Sequence, residues 1–163
     1  MVDLKRPTAA DRDLCLLYLA YREYNEEPDA TLAEHRLNRS HHRILFFLAL
    51  MPGMSVGELL GILKLSKQAI NAPLRALSDQ GLIEATPAAD DRRRKELRLT
   101  PTGAELEREL ARQRGRLGAA LDAVGPEKAR AWREVMTVLA GEDWAELDGR
   151  LTGTDERSGP TGP

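Results

Sequence analysis

Residues 55–103 read SVGELLGILKLSKQAINAPLRALSDQGLIEATPAADDRRRKELRLTPTG, and the order of elements within this stretch decides the fold. Ser55 and Glu58 form a capping box ahead of an apolar run, the Ser oxygen and the Glu carboxylate satisfying free amides at a helix start. ELLGILK then reads as a short helix. After the two-residue exit Lys64-Leu65, Ser66 is placed to cap a second helix, KQAINAPLRALSDQ, with Ile70, Leu74 and Leu77 as its inward stripe. Gly81 suits the left-handed position that ends helices. Two short helices across a tight turn make a helix-turn-helix. Residues 82–86 (LIEAT) and 96–100 (ELRLT) read as strands, and the polar PAADDRRRK between them as the tip of a hairpin. Helix, turn, helix, strand, basic loop, strand is the order of a winged helix-turn-helix.

Outward from this core, the chain is helical on both sides. Leu14, Leu17, Tyr18 and Tyr21 stripe a first helix, with Thr8 as N-cap and Pro28 beyond its end. A second, HHRILFFLALM, starts after Ser40 and stops at Pro52-Gly53; apolar on most sides, it is expected in the core. Thr100-Pro101 opens one long helix striped by Leu106, Leu110, Leu117, Leu121 and Val124 that closes at Gly125-Pro126. Trp132, Val135, Met136 and Leu139 stripe another, which Trp144, Leu147 and Leu151 extend past Gly141. The last residues, rich in Gly, Pro, Ser and Thr, read as a disordered tail. The expected fold is mainly α with a small β-hairpin wing.

Composition narrows the function. The 163 residues carry 24 Lys+Arg against 26 Asp+Glu, mixed in sign, which fits one globular domain. Residues 64–99 hold 8 Lys/Arg against 5 Asp/Glu, so an anionic partner is expected to meet that middle third. The single cysteine, Cys15, cannot form an intramolecular disulfide, and no secretory leader opens the chain, so a cytoplasmic location is expected. The longest apolar run, residues 44–51, falls far short of the ~20 residues of a membrane span. Membrane partners are therefore not expected. His35, His41 and His42 with Glu34 lack the clustering that tetrahedral zinc requires, so no metal is assigned. There is no nucleophile elbow, phosphate-cradling glycine loop or HExxH motif, so neither catalysis nor a cofactor is expected.

The second helix of the pair carries the chemistry. Away from its apolar stripe it presents Ser66, Lys67, Gln68, Asn71, Ala72 and Arg75. Gln68 and Asn71 have paired donors and acceptors that match the major-groove edge of adenine, whereas Ser66, Lys67 and Arg75 suit phosphates. At the hairpin tip, Arg92, Arg93, Arg94 and Lys95 can enter a minor groove, with Asp91 bracing an arginine rather than touching DNA. Taken alone, each set also reads as a solvated face. Pro73 lies inside the reading helix and deletes one backbone hydrogen bond.

As a combination, these motifs resemble the MarR family of bacterial transcriptional regulators over about residues 10–148. The D-x-R wing falls on Asp91-Arg92-Arg93 and the closing L-T-x-x-G on Leu99-Thr100 and Gly103. The resemblance implies that Arg93 is the wing arginine. It also implies that the first and last helices interlock two subunits, and that effectors bind between that region and the winged domain. On this reading residues 1–39 hold the N-terminal dimerisation helix and connector. Residues 40–100 are the DNA-binding core, 101–151 the C-terminal dimerisation helices and 152–163 the tail. Tyr18, Tyr21, His42, Arg43 and Phe46 would border an effector cleft. Ala72 departs from the family, many of whose members carry Arg there. Cys15, near tyrosines on the first helix, is similar to the arrangement in the family's organic-hydroperoxide regulators. The expected protein is a homodimeric repressor of a palindromic double-stranded DNA operator, released by a small-molecule effector. The alternatives are a Cys15-based oxidant sensor of the same fold and a winged-helix protein-interaction module.

Overall fold

Ile44, Leu45 and Leu48 have no exposed surface, and the helix that carries them, α2 (Arg39–Leu50), is the centre around which the chain packs. A computed structural model describes residues 6–88, 94–112 and 114–152. Around α2 lie α1 (Ala9–Glu34), α3 (Val56–Leu63), α4 (Lys67–Asp79) and α5 (Pro101–Ala111), together with strands β1 (Ile83–Pro87) and β2 (Lys95–Leu99). The chain continues through α6 (Arg114–Val124), α7 (Pro126–Ala140) and α8 (Glu142–Thr152). Among the described residues no helix is long and apolar enough to cross a membrane.

The helix-turn-helix forms where its caps lie. Ser55 Oγ accepts from Glu58 N–H at 3.2 Å, and Glu58 Oε2 accepts from Ser55 N–H at 2.8 Å. Ser66 Oγ accepts from Ala69 N–H at 3.2 Å to open α4. Between them Lys64 turns the chain in the left-handed region, with φ 49°. Ile70 and Leu77 are fully buried, while Leu74 is only partly covered. β1 and β2 pair antiparallel from Ile83↔Leu99 to Pro87↔Lys95. Leu97 also exchanges backbone hydrogen bonds with Gly53 and Met54, which ties the wing to the loop after α2.

Four sequence expectations are corrected. Pro28 does not end α1; it lies within the helix, fully buried, because its ring fills core space while the helix loses one backbone hydrogen bond. Asn38, not Ser40, caps α2: Asn38 Oδ1 accepts from Ser40 N–H at 3.0 Å and His41 Nδ1 accepts from Asn38 N–H at 3.1 Å. A histidine here occupies the place of the capping-box carboxylate, so the motif is not spelled in the usual letters. The long helix after Thr100 is two helices, α5 and α6. Arg112 N–H bonds Glu109 O and Gly115 N–H bonds Arg112 O, so the ladder tightens to i→i+3 before Gly115, a poor helix former. The stripe accordingly divides: Leu106 and Leu110 join the core, whereas Leu117 and Val124 stay exposed. Finally, α8 is a separate helix after Gly141, whose φ of 62° and ψ of −144° suit glycine alone. Residues 153–163 of the expected tail lie outside the described residues.

The L-T-x-x-G motif now has a physical account. Thr100 Oγ1 donates to Gly81 O at 2.6 Å and accepts from Gly103 N–H at 3.1 Å, clamping the end of the wing onto the end of α4. The first turn of α5 is pressed so close to the start of β1 that a Cβ on Gly103 would lie 1.9 Å from Leu82 O. Gly103→Ala therefore forces the backbone apart and is expected to cost about 1–3 kcal/mol or more, read as a lowered thermal midpoint. An unchanged midpoint would contradict this packing.

Candidate nucleic-acid interface

α4 presents its polar side outward because Ile70 and Leu77 pin the opposite side to the core. Ser66, Lys67, Gln68, Asn71, Ala72 and Arg75 are all exposed, so the six predicted positions share one open face. Pro73 sits within α4 without ending it. Asp79 was not singled out in the sequence, yet its Oδ2 lies 3.6 Å from Arg75 Nε, an exposed i,i+4 pair. The spacing alone could have revealed it. An ion pair this exposed contributes little and leaves the guanidinium available.

The wing stem follows. Lys95 is exposed on β2, and Arg94 Nη2 lies 3.5 Å from Glu96 Oε1. Glu96 also holds Arg98 at 2.9 Å, and Arg98 was not among the predicted contacts. Asp91, Arg92 and Arg93 lie outside the described residues.

Between α1, α2, α5 and α6 lies a cavity of about 460 Å³. Four of the five predicted effector residues, Tyr21, His42, Arg43 and Phe46, line it; Tyr18 does not and is 66% exposed. Tyr24, Asn25, Arg39, Leu110, Arg114 and Leu117 complete its wall. Sequence reasoning missed these because they come from α1, α2, α5 and α6, and no single periodicity joins them. Two of the wall's three arginines are occupied. Arg39 grips Asp29 with Nε 3.0 Å from each carboxylate oxygen and lies over the Tyr21 ring at 5.3 Å. Arg114 reaches the buried Glu107 at 2.6 Å and lies over Phe46 at 5.3 Å. Among the described residues no carboxylate pairs with Arg43. The cavity thus offers aromatic faces and one uncommitted cation. Cys15 is a free, exposed thiol on α1. Among the described residues no group of three or more His, Cys, Asp or Glu is arranged to hold a metal.

Comparison with known proteins meets this geometry. The model of the MarR family matches residues 36–94. The HTH-type transcriptional regulator PetP of Rhodobacter capsulatus is 40% identical over 124 residues, which is 76% of this chain and 75% of the relative. The chain belongs to the MarR family. It is therefore a DNA-binding transcriptional regulator and not an enzyme. Solved structures agree in fold. The repressor CouR bound to a 23-mer DNA duplex superposes with a TM-score of 0.61 at 22% identity, over 77% of this chain and 90% of that one. The reduced form of MarR from E. coli gives 0.59 at 18% identity, over 81% and 96%.

Two histidines of this MarR-family chain make its stability depend on pH. Burial lowers the pKa of both His41 and His42; at His42, Arg114 adds to the effect while Glu107 and Asp29 oppose it. The folded state thus binds fewer protons than the unfolded state, whose histidines titrate near 6.5. Stability is fully present above that value and falls as pH drops through it. Urea midpoints at pH 7.5 and 5.5 should differ in that sense, and the gap should shrink in a His42→Gln variant and in a His41→Gln variant. A gap that neither variant changes would contradict the assignment.

Proposed function

We propose that this MarR-family regulator is a repressor that binds an inverted-repeat operator as a homodimer and lets go when an effector enters the cavity beside α2. The carrying observation is the exposed polar face of α4. Gln68 and Asn71 stand between Lys67 and Arg75 on a helix capped, buried and oriented from behind. That is the arrangement a major-groove reader requires: side chains that hydrogen-bond base edges, flanked by cations for phosphate. A surface evolved to bind protein would carry aromatic and apolar anchors, and this one has none. Arg92, Arg93, Arg94 and Lys95 are assigned to the minor groove or the adjoining phosphates.

The dimer rests on α1 and α7. Leu14, Leu16, Leu17, Tyr18 and Leu19 are each at least 44% exposed, and they surround α1 rather than stripe it. A stretch apolar on every side belongs in an interior, and a second copy of the chain would provide one. On α7, Trp132, Val135, Val138 and Leu139 form an exposed apolar stripe along one side. Leu106, in contrast, is spent on the core and takes no part in this surface.

Effector coupling follows from α2. His42, Arg43 and Phe46 face the cavity, while Ile44, Leu45 and Leu48 on the same helix hold the reading head. An occupant that shifts α2 must therefore move α4 and the wing.

Incubating the protein with genomic fragments and sequencing those retained should yield a palindrome; retention without sequence preference would overturn the operator reading. On the selected duplex, Gln68→Ala should relax discrimination at one base position by about 1–3 kcal/mol. Lys67→Ala should instead weaken all sequences alike and lower the logarithmic salt slope by about 0.9. The opposite pattern in the two variants would reverse their roles.

A further inference from the structure

The last described helix, α8, reaches the helix-turn-helix. Lys64, in the turn between α3 and α4, places Nζ 3.0 Å from Asp143 Oδ1 in the first turn of α8. Beside that pair a cavity of about 170 Å³ lies between the two helices, walled by Phe47, Gly61 and Ile62 on one side and by Trp144 and Leu147 on the other. Nothing lies within 4 Å of the position where a Gly61 side chain would begin, so this side of α3 is open toward that cavity. Lys64 and Gly141 both have positive φ, so each end of this connection is a fixed bend in the backbone.

We propose that α8 is a strap that positions the reading head: Asp143 on Lys64 and Trp144 beside Phe47 and Ile62 set the angle of α3 and α4 relative to the terminal helices. The inference rests on the operator-binding dimer proposed above. Elsewhere the head meets the terminal helices through the backbone at Arg112 and Gly115, through Arg114 on Glu107 and over Phe46, and through Arg39 on Asp29. None of these contacts touches α3 or α4, and the Lys64–Asp143 pair adds one at the turn between them. Two heads that must enter successive major grooves ~34–36 Å apart tolerate little variation in angle. Apparent operator affinity falls in proportion to the fraction of molecules holding the competent angle. Phosphate-only binding has no such requirement. The Lys64–Asp143 pair is exposed at both ends and contributes little by itself, so Trp144, on the far wall of the cavity from Phe47 and Ile62, is tested together with it.

Asp143 and Trp144 are thus positioning residues, and a double variant, Asp143→Lys with Trp144→Ala, tests them on the full chain. Its affinity for the duplex recovered from the genomic selection should fall about tenfold, the cost of a head that holds its angle about one time in ten. Affinity for a mixed-sequence duplex of equal length and the sedimentation mass should not change. Hydrogen exchange at residues 61–65 should quicken, and Asp143→Glu should restore wild-type behaviour at that position. Unchanged exchange and unchanged operator affinity would overturn the strap. So would loss of the dimer mass, which would make α8 an intersubunit element, or an equal loss on both duplexes. A wild-type chain that prefers no duplex would defeat the operator reading instead, and the exchange rates would still decide whether α8 holds α3.

Discussion

Burial of α2 is the constraint on which the rest of the molecule depends. Ile44, Leu45 and Leu48 are sealed by α1, α3, α4, α5 and β2, so each part of the reading head takes its position from one helix. Replacing any of the three by Ala would open a cavity at the meeting point of these elements, and such losses commonly cost about 2–5 kcal/mol. The same helix turns His42, Arg43 and Phe46 toward the 460 Å³ cavity. One rigid element thus has the reading head on one side and a ligand-sized space on the other. Interiors packed this closely pass a displacement on rather than absorbing it, which is the physical basis for linking the two sides.

The winged core was legible because its signals are local. Capping at Ser55 and Ser66, the stripe through Ile70 and Leu77, and the Thr100-Pro101 start depend on residues within one or two turns of each other. Non-local terms escaped. Pro28 reads as a terminator in any window, and only the core that receives its ring shows why α1 continues. The division between α5 and α6 was hidden because Leu106, Leu110 and Leu117 keep helical spacing across it, although the first two face the core and the third is exposed. Gly103 stood in the sequence as a motif letter; its reason, the Leu82 carbonyl in the place of a Cβ, exists only in three dimensions.

The candidate site divides along the same line. The six positions on α4 could be assigned together because one helix presents them. The cavity could be assigned only in part, since its wall comes from four helices and two of its arginines are committed to Asp29 and Glu107. Those commitments distinguish Arg43 from its neighbours, a distinction invisible in a sequence with 24 Lys+Arg.

The terminal helices carry the central claim, that the reading unit is two copies of this chain. Leu14, Leu16, Tyr18, Val138 and Leu139 are exposed on them, apolar surface that the proposed second copy would cover, and two copies of α4 and the wing would read more of an operator than one. Sedimentation equilibrium of the full chain at micromolar concentration tests this most directly. The account predicts a mass near twice 18.1 kDa, and a chain ending at residue 125 that is monomeric and has lost specific binding. A monomeric mass for a full-length chain that still binds the selected duplex with full affinity would contradict it.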